Sequence, residues 1–283
     1  MNDSAKKRTL RKHQIVVRCL VVIALLIACM VTFIQHSATF AVTATVERVE
    51  FITSKGHSTN WFLDKAQYIE DYGSTPVEFS GYVELAQGVR VTVERVAMGP
   101  LYIQVEANTP DQTDLGSHFA EGGTPLGTIR GHAVFKITDL QTRILNGKNV
   151  VLPLSGDVRL GTGVERPTLP SVPLLRQGQI TVIGHSLLGD DLYKGDSQSL
   201  DPGDVVAIGS ATGPAIGFVA VEEGPALTAT FHVVANNVSI NRLPASGYRV
   251  SSTVFSRIKN DGTLQSVWAA FLFLFALKKI GAE

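Results

Sequence analysis

Cysteine is nearly missing from this chain: of 283 residues only Cys19 and Cys29 carry a thiol, and both lie inside one hydrophobic run. Everything after that run therefore folds without a disulfide or a cysteine-based zinc site, and its stability must come from core packing. Net charge is missing as well. Lysine plus arginine and aspartate plus glutamate balance at 25 each, so beyond a basic amino-terminal cluster nothing supplies the electrostatic attraction that nucleic-acid binding needs. No Walker or dinucleotide glycine loop occurs, there is no HExxH pair, and the histidines are scattered without ligand spacing. Nucleotide, metal and other cofactors are accordingly not expected.

The chain does have an apolar leader. Ile15 to Ile34 reads IVVRCLVVIALLIACMVTFI, which as a helix would measure roughly 30 Å, the thickness of a bilayer hydrocarbon core. Arg18 lies one turn inside the end flanked by Lys6, Lys7, Arg8, Arg11 and Lys12, close enough to snorkel to the surface. That basic cluster orients the amino terminus toward the cytoplasm and the rest outward. The leading reading is an uncleaved signal anchor over 15–35 behind a cytoplasmic tail of 1–14. A cleaved signal peptide ending near Thr39-Phe40-Ala41, and a lipoprotein modified at Cys29 within Leu26-Ile27-Ala28-Cys29, are the alternatives. A disulfide-free exported body favours a bacterial periplasm.

Strand signals dominate the rest of the chain. Residues 42–52, VTATVERVEFI, alternate apolar and polar side chains and are rich in β-branched residues. Over Asn60 to Tyr72 the apolar spacing of Phe62, Ala66 and Ile69 predicts a short helix capped by Asn60 and stopped by Gly73. Strands are expected at 78–85, 89–96 and 101–106, then a Gly, Thr and Asp-rich loop over 108–127. A strand at 129–137, a short helix at 138–146 and a strand at 150–160 complete a first unit, 36–165. Arg166 to Pro173, with prolines at 167, 170 and 173, fits neither an interior strand nor a helix and reads as an extended connector. A second unit, 174–263, carries strands at 178–184, 204–209, 216–222, 227–235 and 248–255.

Two internal echoes accompany this pattern. Ser80-Gly81-Tyr82-Val83-Glu84-Leu85 with Gly88-Val89 returns as Ser155-Gly156-Asp157-Val158-Arg159-Leu160 with Gly163-Val164. Gly99-Pro100 and Ala107-Asn108 return as Gly224-Pro225 and Ala235-Asn236. Repeated strand-turn units with no long helix between them point to a sandwich or barrel-like β region in two halves. At the carboxyl end, VWAAFLFLFAL over Val267 to Leu277 carries Trp268 near its start, placed for an interfacial belt, and is followed by Lys278-Lys279. Residues 264–280 are expected to form a hydrophobic helix that makes a second span, with a helix lying in the membrane surface or a buried helix as alternatives.

The candidate chemistry centres on Ser186. Ile180 to Gly189, ITVIGHSLLG, places a serine after an apolar strand and resembles the nucleophile elbow of α/β-hydrolases, which implies a nucleophilic Ser186 with a histidine partner such as His232. The glycine that elbow requires falls one residue late, at Gly189, behind Leu188. Leu200-Asp201-Pro202-Gly203-Asp204-Val205-Val206 resembles the turn and strand of membrane-anchored signal peptidases, which use a serine and a lysine; no Ser-Met pair occurs here, and no lysine lies between Gly195 and Ile258. Each resemblance covers under about a tenth of the chain, and neither transfers a catalytic residue. Asp190, Asp191, Asp196, Asp201 and Asp204 crowd one stretch without EF-hand spacing and read as a solvated loop.

The expectation is a mostly β, membrane-anchored extracytoplasmic binding or scaffold protein, an accessory subunit of a cell-envelope complex in the bacterial inner membrane. Its expected partners are the lipid bilayer and an envelope protein, with self-association left open. The rival is a tethered serine hydrolase or peptidase using Ser186.

Overall fold

The computed structural model describes residues 22–23, 35–54, 60–70, 73–145, 149–161, 175–186, 191–221, 224, 226–242 and 246–280. They fall into two compact units. The larger comprises 37–184 and 194–251; the smaller takes the residues up to 36, then 185–193, and those from 252 on. A two-residue strand, β1 (Gln35–His36), belongs to the smaller unit.

The larger unit is an antiparallel sheet that starts from one long bent strand. β2 (Ala38–Val46) runs through Glu47 into β3 (Arg48–Thr53). Period-two alternation along both buries Phe40, Val42, Ala44, Val46, Val49 and Phe51. β3 pairs with β6 (Val89–Glu94), β6 with β7 (Leu101–Ala107), β7 with β10 (His132–Ile137), and β10 with the second half of β4 (Asn60–Glu70). On its other edge β3 pairs with β11 (Val151–Leu160). The ends of this run of ladders meet where Trp61 Nε1 of β4 donates to Pro153 O of β11 at 2.9 Å. Among the described residues no ladder joins those two strands, so a seam separates them.

β5 (Val77–Leu85), β8 (Asp114–Ala120) and β9 (Pro125–Arg130) continue outward from β4. Beyond β11, β14 (Asp204–Ala211) and β15 (Ala215–Val221) share one position, each paired with β11 on one edge and β16 (Leu227–Arg242) on the other. β16 takes β2 and β17 (Tyr248–Thr253), and β2 takes β12 (Leu175–His185). β13 (Leu192–Leu200) runs beside β12, with the Thr181 and Ser197 hydroxyls 3.0 Å apart. Strands from either side of the proline-rich stretch thus share one core, which also contains Trp61, Phe135, Phe231, Leu101 and Ile103. The connector at 166–173 itself lies outside the described residues.

Both echoes acquire a physical meaning. Gly81 is flanked by Leu63 and Ala120, and Gly156 by Ala215 and Thr53. A Cβ on Gly81 would stand 1.9 Å from Phe119 O, and one on Gly156 1.9 Å from Ile52 O. Each Ser-Gly step therefore marks a point where the backbone of a neighbouring strand approaches too closely for a side chain. The Gly-Pro turns converge on a single residue. Arg95, fully buried, donates from Nη1 to Gly224 O at 2.9 Å and from Nε to Gly99 O at 3.4 Å.

Several local expectations are corrected. Residues 60–72 are not a helix: β4 occupies Asn60–Glu70, with a bulge between Leu63 and Ala66 that puts Lys65 at φ +46°. The loop expected at 108–127 contains β8 and the start of β9, and the strand expected at 129–137 is broken at Gly131 into β9 and β10. β13 was unforeseen, and β17 ends at Thr253, ahead of the expected 255. The helix expected at 138–146 is present as α1 (Leu140–Leu145).

In the smaller unit, α2 (Val254–Asn260) opens with a reciprocal capping box between Thr253 and Ser256. α3 (Gly262–Ile280) comes after Asp261, so residues 264–280 are helical as expected. Its apolar run from Val267 to Leu277 covers about 16 Å, and among the described residues no helix is long and apolar enough to cross a membrane. Of the leader over 15–35 only Val22, Ile23 and Gln35 are described, so the anchor expected there lies outside the described residues.

The close approaches at the two Ser-Gly steps are testable by chemical denaturation. Gly81→Ala and Gly156→Ala are each expected to lower stability by about 2–3 kcal/mol, because the added methyl meets a backbone carbonyl that cannot swing aside.

Candidate functional site

The seam between β4 and β11 opens as a groove of about 470 Å³ lined by Asn60, Phe62, Asp64, Arg143, Val151 and Pro153, among others. Its walls are two strand edges whose backbone groups would be open to another strand. Side chains close them. Pro153 has no N–H to offer, which is why a proline is tolerated inside β11 at this point, and its carbonyl is taken by Trp61 Nε1. On the facing edge Asp64 O accepts from Arg143 Nη2.

Arg143 comes from α1 and is 8% exposed. Its Nε donates to Asp139 Oδ1, one turn back on the chain, at 2.6 Å, and its Nη1 lies 3.7 Å from Asp64 Oδ2. The cation at the groove floor is thereby matched by two carboxylates and leaves no surplus positive charge for an anion. Asp64 lies in the β4 bulge, which inserts extra residues opposite β5, and the hydroxyl of Ser80 ties the bulge by accepting from Lys65 N at 2.8 Å and donating to Asp64 Oδ1 at 3.3 Å. Bulges and left-handed non-glycine residues of this kind gather where a side chain must be re-aimed.

One wall is aromatic. Phe62 lines the groove and is 47% exposed. Its cross-strand partner Tyr82, on the β5 side of β4, backs it, 37% exposed, with ring centroids 5.1 Å apart and planes tilted by 53°. An exposed ring beside fixed polar groups can contact a ligand through side chains. Sequence reasoning placed none of these residues in a site. The readable signals were Pro153 inside a strand and aromatic residues at positions that alternate with the core.

Ser186, the residue the sequence singled out, is 7% exposed in the smaller unit. Its hydroxyl donates to Asp261, at 3.0 Å from Oδ1 and 2.9 Å from Oδ2, and lies 2.7 Å from Thr263 Oγ1. Asp261, 1% exposed, also accepts from Thr263 N at 3.1 Å and Leu264 N at 3.3 Å, which makes it the N-cap of α3. Arg257 Nε donates to His185 O at 2.9 Å and Arg257 Nη2 to Ser186 O at 3.2 Å. This arrangement joins the 185–186 segment to the start of α3. These contacts set a carboxylate and a hydroxyl against Ser186 Oγ, where a nucleophile would need a histidine or lysine nitrogen as base.

A serine and a histidine do meet elsewhere in the same unit. Ser252 Oγ is 3.0 Å from His36 Nε2, across the β1–β17 pair. Burial, and then the charge of Arg257, hold the His36 pKa below its ordinary value. Ser252 is fully buried, so a substrate carbonyl has no route to it. His232 lies in β16 between Ala41 and Ile216.

The aspartate stretch is an ion-pair site. Asp204 is fully buried and accepts from Arg242 Nε at 2.7 Å and Nη2 at 2.9 Å, while Asp201 Oδ2 is 2.9 Å from Arg242 Nη2. The Arg242 hydrogen bonds hold the Asp204 carboxyl below its ordinary pKa, outweighing the upward push of burial. Asp196 belongs to β13 and Asp191 precedes it, whereas Asp190 lies outside the described residues. Among the described residues no group of three or more His, Cys, Asp and Glu side chains is placed to hold a metal ion.

Compared with known proteins, the chain matches no family model, no curated protein and no solved structure.

The geometry at Ser186 and Asp204 sets two measurable outcomes. With its hydroxyl held by a helix cap, Ser186 is expected to resist fluorophosphonate labelling, and Ser186→Ala is expected to cost about 1 kcal/mol in a thermal melt. Asp204→Asn is expected to cost about 2–3 kcal/mol at neutral pH, discounted for the water-facing side of Arg242. Because the folded-state pKa of Asp204 is depressed, the carboxylate's contribution is complete above its ordinary value of 3.8 and is lost as pH falls through the folded value. The gap between variant and wild type should therefore close in urea titrations run progressively below about pH 4.

Proposed function

We propose that this chain is a membrane-anchored extracytoplasmic binding or scaffold protein, a non-catalytic accessory subunit of a bacterial cell-envelope complex. In this reading the basic tail and apolar leader hold it in the inner membrane. The periplasmic β body is a sandwich or barrel-like region, and its partner is an envelope component. The observation that carries the reading is the seam groove. The ionisable groups Arg143, Asp64 and Asp139 are spent on one another, and the exposed ring of Phe62 offers contact area without a nucleophile and base pair among the described lining residues.

α3 supports a second membrane contact. Val267, Trp268, Leu272 and Phe273 are all exposed, on a helix with no polar face between its Gln265-Ser266 start and its Lys278-Lys279 end. A helix that is apolar all round calls for lipid or a buried environment, and terminal lysines suit the headgroup region.

Carbonate extraction of native membranes tests the anchor, and photo-cross-linking from position 62 tests the binding role. The protein is expected to stay in the pellet, and the cross-link to trap a specific envelope component that disappears with Asp64→Ala. Release into the carbonate supernatant, or recovery of the uncross-linked chain alone in every membrane preparation, would overturn the reading.

A further inference from the structure

We propose that the seam groove between β4 and β11 binds a neutral oligosaccharide, with the ring of Phe62, backed by Tyr82, stacked on a sugar face and the polar groups at the groove wall holding hydroxyls. The inference rests on reading the β body as a binding module and names the class of ligand it takes.

Three observations select this class. The first is charge. Arg143, nearly buried, is matched by Asp139 at 2.6 Å and Asp64 at 3.7 Å, so among the described lining residues a phosphate or carboxylate would find no unpaired cation and would meet Asp64 as a like charge. The second is the state of the strand edges. An extended peptide that adds itself to a sheet edge is held by backbone hydrogen bonds. Here Pro153 cannot donate, Pro153 O is bound by Trp61, and Asp64 O is bound by Arg143. The third is the aromatic wall. An aromatic face is electron-rich and attracts the polarised C–H groups of an apolar sugar face. Phe62, exposed on the groove wall, offers such a face, and Tyr82 packs against it with ring centroids 5.1 Å apart and holds it in place.

The polar complement is close by. Asn60 and Asn149 line the groove beside Asp64, and a side-chain amide presents both a donor and an acceptor to a pair of sugar hydroxyls. Asp64 keeps acceptor capacity, since a carboxylate has about four lone-pair sites and the contacts it makes to Ser80 and Arg143 are long at 3.3 and 3.7 Å. A groove of about 470 Å³ has room for a few sugar rings and lies within the usual range for small-ligand sites.

The test is isothermal titration calorimetry of the full chain in nanodiscs with three defined tetrasaccharides: the β-1,4-linked N-acetylglucosamine tetramer, cellotetraose and maltotetraose. At least one is expected to bind with Kd on the order of 0.1–1 mM. Phe62→Leu, which keeps apolar bulk and loses the flat ring, is expected to weaken binding at least tenfold. Phe62→Trp is expected to keep it, and Tyr82→Ala to weaken it severalfold. Both side chains are exposed, so circular dichroism should show the fold unchanged in every variant.

Absence of heat with all three sugars overturns the proposal, as does wild-type affinity in Phe62→Leu. Saturable binding of an extended peptide that sugars do not displace also overturns it. If the cross-link from position 62 traps a protein while no sugar binds, only the saccharide assignment falls and the binding role stands. If neither is found, both fall.

Discussion

Arg95 holds the joint at which one strand serves two sets of ladders. β2 and β3 are continuous through Glu47, yet β2 pairs with β12 and β16 whereas β3 pairs with β6 and β11. The bend between them is pinned by Arg95 N donating to Glu47 O at 2.8 Å, and by Arg176 Nε donating to Glu47 Oε1 at 3.1 Å. The Arg95 guanidinium reaches past the bend to the carbonyls of Gly99 and Gly224. A buried cation without acceptors would cost several kcal/mol, and the planar fork of arginine can reach two separated carbonyls where a lysine ammonium could not. The turns at 97–100 and around 224 are therefore constrained by the guanidinium of the same residue whose backbone N–H holds the bend.

Where the ladders do not close, side chains replace backbone pairing. Trp61, Arg143 and Pro153 each remove one hydrogen-bonding opportunity from the facing edges of β4 and β11. An unguarded edge invites another chain; a guarded one leaves a slot whose chemistry is set by side chains alone. The β4 bulge lies in the same stretch: Asp64 is one of its unpaired residues, on the groove side with Asn60 and Phe62, and its carboxylate lies 3.7 Å from Arg143.

The same bulge explains the largest misreading of the sequence. Trp61 and Leu63 are buried at period two, then Ala66 and Tyr68 are buried at period two in the shifted phase. Across the shift, apolar residues fall three apart and imitate a helix. Local pattern carries no information about which strand lies opposite, and a bulge is defined by its opposite strand. β13 is hard to see for a related reason: Lys194, Asp196 and Gln198 make it polar on one face, and a polar edge strand resembles a charged loop. The mostly β character, the helix at α1 and the helical carboxyl end were legible because each depends on period and length alone. The Ser-Gly and Gly-Pro echoes were legible as repeats but not as close approaches or as acceptors for Arg95, since both facts depend on strands and turns distant in the chain. Ser186 stood out by its neighbours in sequence, while its bond to Asp261 could only be seen in three dimensions.

The pairing order sets a timetable for assembly. β2 lies near the start of the chain, yet its described partners are β12 and β16, the second of which ends at Arg242. At typical elongation rates of roughly 5–20 residues per second, about 10–40 s pass between synthesis of β2 and the end of β16. Until β12 is made this apolar, β-branched segment has no strand to lie against, and until β16 is made one of its edges stays open, which exposes the nascent body to aggregation unless that edge is covered.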